Sequence, residues 1–344
     1  MEKTRTTNIL LLMLVIPVIF YLLKILSFIF IPLVFSMFIA LLFLPLMRWL
    51  GKRGVPKFIS VGIVIILILL GMAFTWELIQ LSGRQIVSSN STFFVEAQEK
   101  LKILKESVEN FLGIELEREK SFTAQIIDNV GLGTAIKFMS NFVSMTLTTA
   151  FFTVLWLAES INVQKLLNVT ILKQRHTSIK TFLKIENDLI KFIKVKFLVS
   201  LGTGIGIGLA CLFFDVSFPI FWGLFAFVIN FVQMIGSFIS VIVLAIFAFV
   251  EIQLMSTLFF FVLSITMVQV IFGSILEPVF MGKSFSINII TVLVMLMFWG
   301  YIWGIPGMIM SIPITVFIKI ILEQFPNTQV IASLLSGKEM IIKK

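Results

Sequence analysis

The sequence predicts an all-α membrane protein with several transmembrane spans. Of its 344 residues, 59% are hydrophobic and only 13% are charged, whereas a soluble domain carries about 25% charged residues. Several uninterrupted apolar runs exceed the roughly 18 residues that indicate a transmembrane helix. The chain also contains an internal repeat, because a full hydrophobic span is twice followed by a longer, interrupted apolar stretch. These observations exclude a soluble globular domain.

About six full spans are predicted from the apolar runs. They lie at 8–23, 27–47, 58–81, 137–158, 197–214 and 255–275. A crossing helix needs about 20 apolar residues. The first run follows Lys3 and Arg5, as in a signal peptide, but no small-residue cleavage site follows it and a second span begins almost at once. We therefore expect the first run to be a retained helix.

Basic residues beside the spans predict the orientation of the chain. The connection 48–57 has four Lys and Arg and no acid, and the connection 159–196 has eight against three acids. Both are expected in the cytoplasm. The segment 82–136 has six basic residues against eight acids, which suits the outside. Both termini then lie in the cytoplasm, and the composition, rich in Phe, Ile and Lys, favours the cytoplasmic membrane of a bacterium.

Two interrupted stretches, Pro219–Val250 and Ile287–Leu322, fit neither one membrane crossing nor two. They have 32 and 36 residues, broken by polar residues in the first and by Gly and Pro in the second. We interpret them as re-entrant helical hairpins, whose irregular tips must be buried in protein or line a wet cavity. The predicted topology inverts the two span-plus-hairpin units, so their tips are expected to meet near the midplane, as in secondary transporters. Two short crossings for each stretch would give the same charge pattern.

Six segments follow from these assignments. They are a three-span unit at 1–81, an extracellular helical segment at 82–136, a span with a cytoplasmic amphipathic helix at 137–196, repeat 1 at 197–250, repeat 2 at 251–323 and a cytoplasmic tail at 324–344. An apolar stripe from Phe94 to Phe111 predicts an outer helix that rests on the protein's own surface or contacts another subunit. A second stripe from Ile179 to Ile193, opposite several lysines, predicts a helix at the cytoplasmic interface.

Polar residues and backbone breaks at membrane depth are the candidate substrate-binding residues, because burying them unpaired costs several kcal/mol. They are Asn230, Gln233 and Gln269 with the glycines Gly300, Gly304 and Gly307. The side-chain amides of Asn230 and Gln233 suit an uncharged polar ligand or partial coordination of a cation, and equally could cap the backbone of the first tip. The glycines would free backbone carbonyls. Trp299 and Trp303 are expected either as interface anchors or as rings that stack on a ligand.

Glu277 and Lys283 are the candidates for ion coupling. Glu277 precedes Pro278 at the inner end of a predicted span, where a carboxylate could bind H⁺ or Na⁺. It could equally form an ion pair with Lys283.

Enzyme chemistry has little support in the sequence. There is no HExxH motif and no phosphate-binding loop, and the single His176 lies in a basic connection. Gly202, Gly204, Gly206 and Gly208 are interpreted as small residues for close helix packing. We expect no enzyme activity, no metal and no cofactor, apart from an H⁺ or Na⁺ coupling ion.

Several short motifs follow one another along the chain: Arg53–Pro56, Trp222–Gly223, Asn230–Phe231, Ile235–Ser237, Ile275–Pro278, Met281–Lys283, Trp299–Gly300 with Gly304 and Gly307, and Ser311–Pro313. In this order they resemble the AI-2E family of membrane transporters (the autoinducer-2 exporter or PerM-like proteins). One departure is Gln233, where the family usually has Pro. Because Gln can complete a helix hydrogen bond that Pro cannot, this tip is expected to be less rigidly broken.

The resemblance implies export of small polar signalling molecules in some members and Na⁺(Li⁺)/H⁺ antiport in others, with assembly into homo-oligomers that include pentamers. We therefore expect a secondary exporter of a small polar molecule, such as an AI-2-like signal, working by alternating access in the lipid bilayer. The alternatives are a Na⁺(Li⁺)/H⁺ antiporter and a non-transporting membrane scaffold. No nucleic-acid partner is expected.

Overall fold

The computed structural model of the chain describes residues 2–88, 100, 144–159, 176–232, 235–282, 287–324 and 328–336. All regular structure in these ranges is helical, which confirms the all-α prediction for this part of the chain. The helices are α1 (Glu2–Ile25), α2 (Ser27–Lys52), α3 (Lys57–Ser88), α4 (144–159), α5 (His176–Phe213), α6 (Pro219–Ile229), α7 (Ile235–Glu251), α8 (Met255–Gln269), α9 (Glu277–Met281), α10 (Ile289–Glu323) and α11 (Gln329–Ser336). A π-helix, Val270–Leu276, joins α8 to α9. The predicted outer helix, Phe94 to Phe111, lies outside the described residues.

Five stretches among the described residues are long and apolar enough to cross a membrane. They are Ser27–Lys52, Phe58–Arg84, Leu183–Phe213, Met255–Met281 and Ile289–Glu323. The apolar parts of α1, α6 and α7 are shorter, at 10–17 residues. The predicted class, a membrane protein with several apolar helices, is therefore confirmed.

Helix α5 differs from its prediction. The sequence predicts an interfacial helix from the apolar stripe Ile179–Ile193 and then a separate span beginning at Phe197. The structure has one helix of 38 residues, His176–Phe213. Lys196 does not interrupt it, and its side chain is only 1% exposed. Helical backbone hydrogen bonds are local, so a lysine whose charge is accommodated elsewhere does not end a helix.

Hairpin 1 is formed by α6 and α7. Pro219 occupies the start of α6, where its missing N–H costs no hydrogen bond. Helix α6 has 11 residues and is about 16 Å long, roughly half the hydrocarbon thickness of a bilayer. Gly236, the second residue of the returning helix, faces the carbonyl oxygen of Ile229 so closely that a Cβ would collide with it. The two arms therefore meet through backbone at the tip.

Hairpin 2 is formed by the two arms of α10 on either side of Gly304. This glycine has φ 64° and ψ −142°, a combination open to glycine almost alone. A Cβ on Gly307 would collide with the carbonyl oxygen of Trp299, although residues eight apart in a continuous helix are about 12 Å apart. The chain therefore reverses direction at Gly304.

The helices group into two compact units, each described by itself. Unit 1 contains residues 1–68, 145–196 and 280–344, and unit 2 contains residues 69–144 and 197–279. Hairpin 2 belongs to unit 1 and hairpin 1 to unit 2. Part of unit 1 is held by a cluster of Ala40, Met47, Val64 and Leu157, and a salt bridge of 2.5 Å joins Arg48 to Glu186.

Candidate functional site

The glycines of α5 position hairpin 1. A Cβ on Gly204 would lie 2.7 Å from the carbonyl oxygen of Gly223 in α6, and one on Gly208 would lie 3.3 Å from that of Pro219. On another side of α5, Gly206 contacts Val268 of α8. These contacts confirm that the glycines serve close helix packing.

An apolar cluster fills unit 2 between α5, hairpin 1 and α8. Its buried members are Ile207, Ala210, Cys211, Val216, Phe218, Trp222, Ala226, Leu244, Ala248, Phe261 and Ile265. Phe214 and Phe261 meet edge to face, with ring centroids 5.6 Å apart. The cluster holds the arms of the hairpin and leaves its tip to polar residues.

A set of polar side chains, here named the polar layer, continues the buried stripes of these helices towards the tip. Ser200 lies seven residues before Ile207, Asn230 four after Ala226, Ser240 four before Leu244, and Gln269 four after Ile265, with Ser237 one turn before Ser240. Ser200, Asn230, Ser240 and Gln269 are 0–5% exposed. Helical spacing thus places polar residues where the apolar stripes would continue.

Asn230 is the centre of the polar layer. Its Nδ2 donates to Ser200 Oγ at 3.1 Å, and Ser237 Oγ approaches its Oδ1 at 3.5 Å. Three separate segments, α5, the tip and α7, therefore meet at one amide. Asn230 has helical backbone angles and lies directly after α6, between the two arms of hairpin 1. Its role as a binding residue stays a prediction.

Gln269 is the last residue of α8 and is 5% exposed. Neither its Oε1 nor its Nε2 has a hydrogen-bond partner among the described residues, and the same is true of Ser240 Oγ. The π-helix begins at the next residue, and such segments occur often at functional sites. Its Gly273 approaches Ser237, since a Cβ there would lie 3.5 Å from the serine Oγ.

Glu277 follows the π-helix directly and is only 3% exposed. A buried carboxylate in a membrane-inserted stretch is costly, and such residues usually mark ion or proton pathways. Its predicted partner, Lys283, lies outside the described residues, as does Gln233.

The two ends of hairpin 1 that lie away from its tip are joined through Glu251, the last residue of α7. Its carboxylate accepts from Ser217 N at 2.9 Å and from Ser217 Oγ. Lys100 Nζ donates to the carbonyl oxygens of Phe249 and Ile252 at 2.8 and 2.9 Å. The last carbonyls of α7 therefore have a cationic partner, as is favourable at a helix C-terminus.

Two of the three predicted glycines of hairpin 2, Gly300 and Gly307, have packing partners in unit 1. Gly307 meets the backbone of Trp299, and a Cβ on Gly300 would lie 2.9 Å from the terminal methyl of Met308. Gly304 supplies the reversal. A ligand role for their carbonyls stays a prediction.

The two tryptophans of hairpin 2 are buried, at 6% and 7% exposure, with ring centroids 4.8 Å apart. Trp303 Nε1 donates to Leu23 O of α1 at 2.9 Å, whereas Trp299 Nε1 has no partner among the described residues. This burial does not fit the interface-anchor interpretation, which needs rings at the headgroup level.

Ser200, Ser237 and Ser240 were missed as site residues in the sequence. A single serine in an apolar helix is common, since it can bond its own backbone. The signal was present in the spacing, because each serine falls on the buried stripe of its helix.

These features define the class of the protein. It is a helical membrane protein whose unit 2 contains a helical hairpin with polar side chains buried near its tip. The model of the AI-2E family transporter matches residues 9–327, and the chain belongs to this family. It is 28% identical over 316 residues to a "Putative transport protein" of Haemophilus influenzae, covering 90% of each chain. It is 26% identical to the "Putative transport protein YhhT" of Escherichia coli, covering 89% and 87%, and 24% identical to that organism's "AI-2 transport protein TqsA", covering 89% of each.

Proposed function

We propose that the protein is a secondary transporter that exports a small polar molecule by alternating access, and that its polar layer contacts the solute. The observation that carries this proposal is Asn230, an amide 2% exposed that links Ser200 to Ser237 at the tip of hairpin 1. The family membership supports the general activity, and one relative is named for AI-2 transport.

Physical cost supports a functional role for this layer. Each buried polar group without full hydrogen bonding costs about 1–3 kcal/mol, and apolar residues of similar size would pack there without that cost. A hairpin tip that serves only as structure needs no such cluster. A solute that is stripped of water does need donors and acceptors of this kind.

The predicted contacts outside the polar layer stay part of the proposal. These are Gln233, with the turn of hairpin 2 from Gly300 to Gly307, and the ion-coupling pair Glu277 and Lys283. The proposal also includes a homo-oligomer in the bacterial cytoplasmic membrane, with both termini in the cytoplasm.

Efflux from vesicles tests this function. The purified protein is reconstituted in liposomes loaded with AI-2, an ion gradient is imposed, and release is followed with time. Asn230→Ala should abolish the protein-dependent release, whereas Asn187→Ala, an exposed asparagine of α5, should leave it unchanged. Unchanged release in the Asn230 variant would remove the polar layer from the transport path.

A second candidate function is cation/proton antiport, because Glu277 is a buried carboxylate beside a π-helix. Li⁺ added to vesicles should then release or take up protons, measured with an enclosed pH dye. Glu277→Gln should abolish this signal and Glu323→Gln, a partly exposed residue of α10, should keep it. Antiport that persists in Glu277→Gln would exclude this carboxylate as the coupling group.

A further inference from the structure

Two facing helices of unit 2 each bury a polar side chain that bonds to nothing in the described part of the chain. Ser240 of α7 is 1% exposed and Gln269 of α8 is 5% exposed. The hydroxyl of the serine and both polar atoms of the glutamine have no hydrogen-bond partner there.

The helix register places these two residues at the same level. Helices α7 and α8 are joined by a short connection, Ile252–Leu254, so they run antiparallel. Leu244 and Ile265 belong to one buried cluster, as do Ala248 and Phe261 one turn further on.

On the other side of the pair, a Cβ on Gly273 of the π-helix would lie 3.5 Å from Ser237 Oγ. The cluster and this approach together indicate that steps along α7 are matched by equal steps back along α8. In that register Ser240 lies at the level of Gln269.

Buried polar groups at the same level normally bond to each other. An amide has two donors and two acceptors and a hydroxyl adds a donor and acceptors, so this pair has ample capacity for mutual bonding. Leaving each group unbonded costs about 1–3 kcal/mol. When two such groups lie at the same level and remain unbonded, a third polar group that lies between or beside them can bond to both.

We propose that Ser240 and Gln269 form a hydrogen-bonding site for an uncharged polar group of the transported solute, of hydroxyl, carbonyl or amide type. This deepens the proposed function and rests on it. All members of the polar layer are uncharged, and an ion brought to them would lose several kcal/mol of hydration without a counter-charge. Ser240 therefore joins Asn230 and Gln269 as a determinant of specificity for neutral groups.

Thiol labelling tests access to the site without knowledge of the solute. Ser240→Cys is made in a Cys211→Ala background, reconstituted in liposomes, and treated with neutral methyl methanethiosulfonate or with its cationic trimethylammonium-ethyl and anionic sulfonatoethyl derivatives. The neutral reagent should label at least about tenfold faster than either charged one, because only the charged reagents bear the desolvation cost.

The matched control is Ala248→Cys in the same background, two turns along α7 in the apolar cluster and 0% exposed. It should label at least about tenfold more slowly with the neutral reagent, since no polar group admits solutes there. Equal slowness at both positions, or equal rates for neutral and charged reagents at Ser240→Cys, would overturn the proposal.

An independent measurement comes from the facing helix. Gln269→Cys should show the same preference for the neutral reagent, with Ile265→Cys as its apolar control, and each variant is first checked for a single size-exclusion peak. Selective labelling without any solute release would support this site and contradict the proposed transport function. Solute release with unreactive cysteines would support the transport function and contradict the site.

Discussion

Hairpin 1 and hairpin 2 both reverse the direction of the chain, but different groups complete the two tips. In both, the chain reverses inside an apolar stretch and a glycine on the returning arm lets two backbones approach, Gly236 at Ile229 and Gly307 at Trp299. The tips differ. Side chains complete hairpin 1, where Asn230 joins three segments. Backbone geometry completes hairpin 2, where the φ of Gly304 makes the turn.

The difference separates shape from chemistry. A turn made by glycine geometry needs no polar side chain, so hairpin 2 can be closed among apolar residues and tryptophans. A tip lined with amide and hydroxyl groups presents donors and acceptors that the turn itself does not require. This contrast is the reason why the proposed function assigns its main solute contacts to hairpin 1. The predictions that follow test this contrast, beginning with the feature that both hairpins share.

Adding a methyl group where the arms meet should have the largest effect and should be similar in both hairpins. Gly236→Ala and Gly307→Ala each place a Cβ against a backbone carbonyl, which cannot move aside as a side chain can. We expect a loss of about 3 kcal/mol of stability in each, measured as a fall in the thermal midpoint in detergent. Gly62→Ala, with open space around it, is the control. A wild-type midpoint in either variant would contradict the close approach.

Gly304→Ala should damage hairpin 2 through its backbone alone. Nothing lies within 4 Å of the added Cβ, so the cost comes only from the φ and ψ angles, about 1–3 kcal/mol. The same thermal measurement applies, with Gly71→Ala, in open space on α3, as the control. Equal midpoints for the two variants would mean that the turn does not depend on this conformation.

Asn230→Ala should cost hairpin 1 about 1–2 kcal/mol, because Ser200 and Ser237 lose their shared partner. Asn187→Ala, an exposed substitution in a helix, should change the free energy of unfolding by at most about 0.5 kcal/mol, so its thermal midpoint should stay close to that of the wild type. If both variants matched the wild type, the amide would contribute nothing to the tip.

The two tryptophans offer the smallest and most closely matched comparison. Trp303→Phe keeps an aromatic ring and removes the bond to Leu23 O, so it should cost about 1 kcal/mol. Trp299→Phe removes an N–H that has no partner among the described residues, and it should be neutral or slightly stabilising. The order of the two thermal midpoints is the test, and a reversed order would contradict these contacts.

Part of this architecture could be predicted from the sequence, since apolar run length predicts helices long enough to cross a membrane. The Gly and Pro interruptions also predict a break in the stretch that contains Gly304. The glycine spacing in α5 also predicted close packing. Other features could not be read in this way. The apolar stripe that ends at Ile193 and the apolar run that begins at Phe197 predict two helices, but one helix continues through both. The hydrogen bond of Trp303 Nε1 goes to Leu23 O, 280 positions away in the chain.

The polar layer shows the same limit. Asn230 and Gln269 stood out as rare polar residues in apolar stretches. Ser237 and Ser240 did not, because serine is tolerated in apolar helices, although the spacing of both residues follows the stripe of Leu244 and Ala248 on α7.

The π-helix after Gln269 has a practical consequence for work on this protein. A π-helix has more residues per turn than an α-helix, so the side chains beyond Leu276 are rotated about the helix axis relative to an uninterrupted α-helix. One extra residue corresponds to a rotation of roughly 100°. A helical wheel drawn straight through Met255–Met281 would therefore assign Glu277 to the wrong side. Scanning mutagenesis of this stretch has to be interpreted in two frames, one before Val270 and one after Leu276.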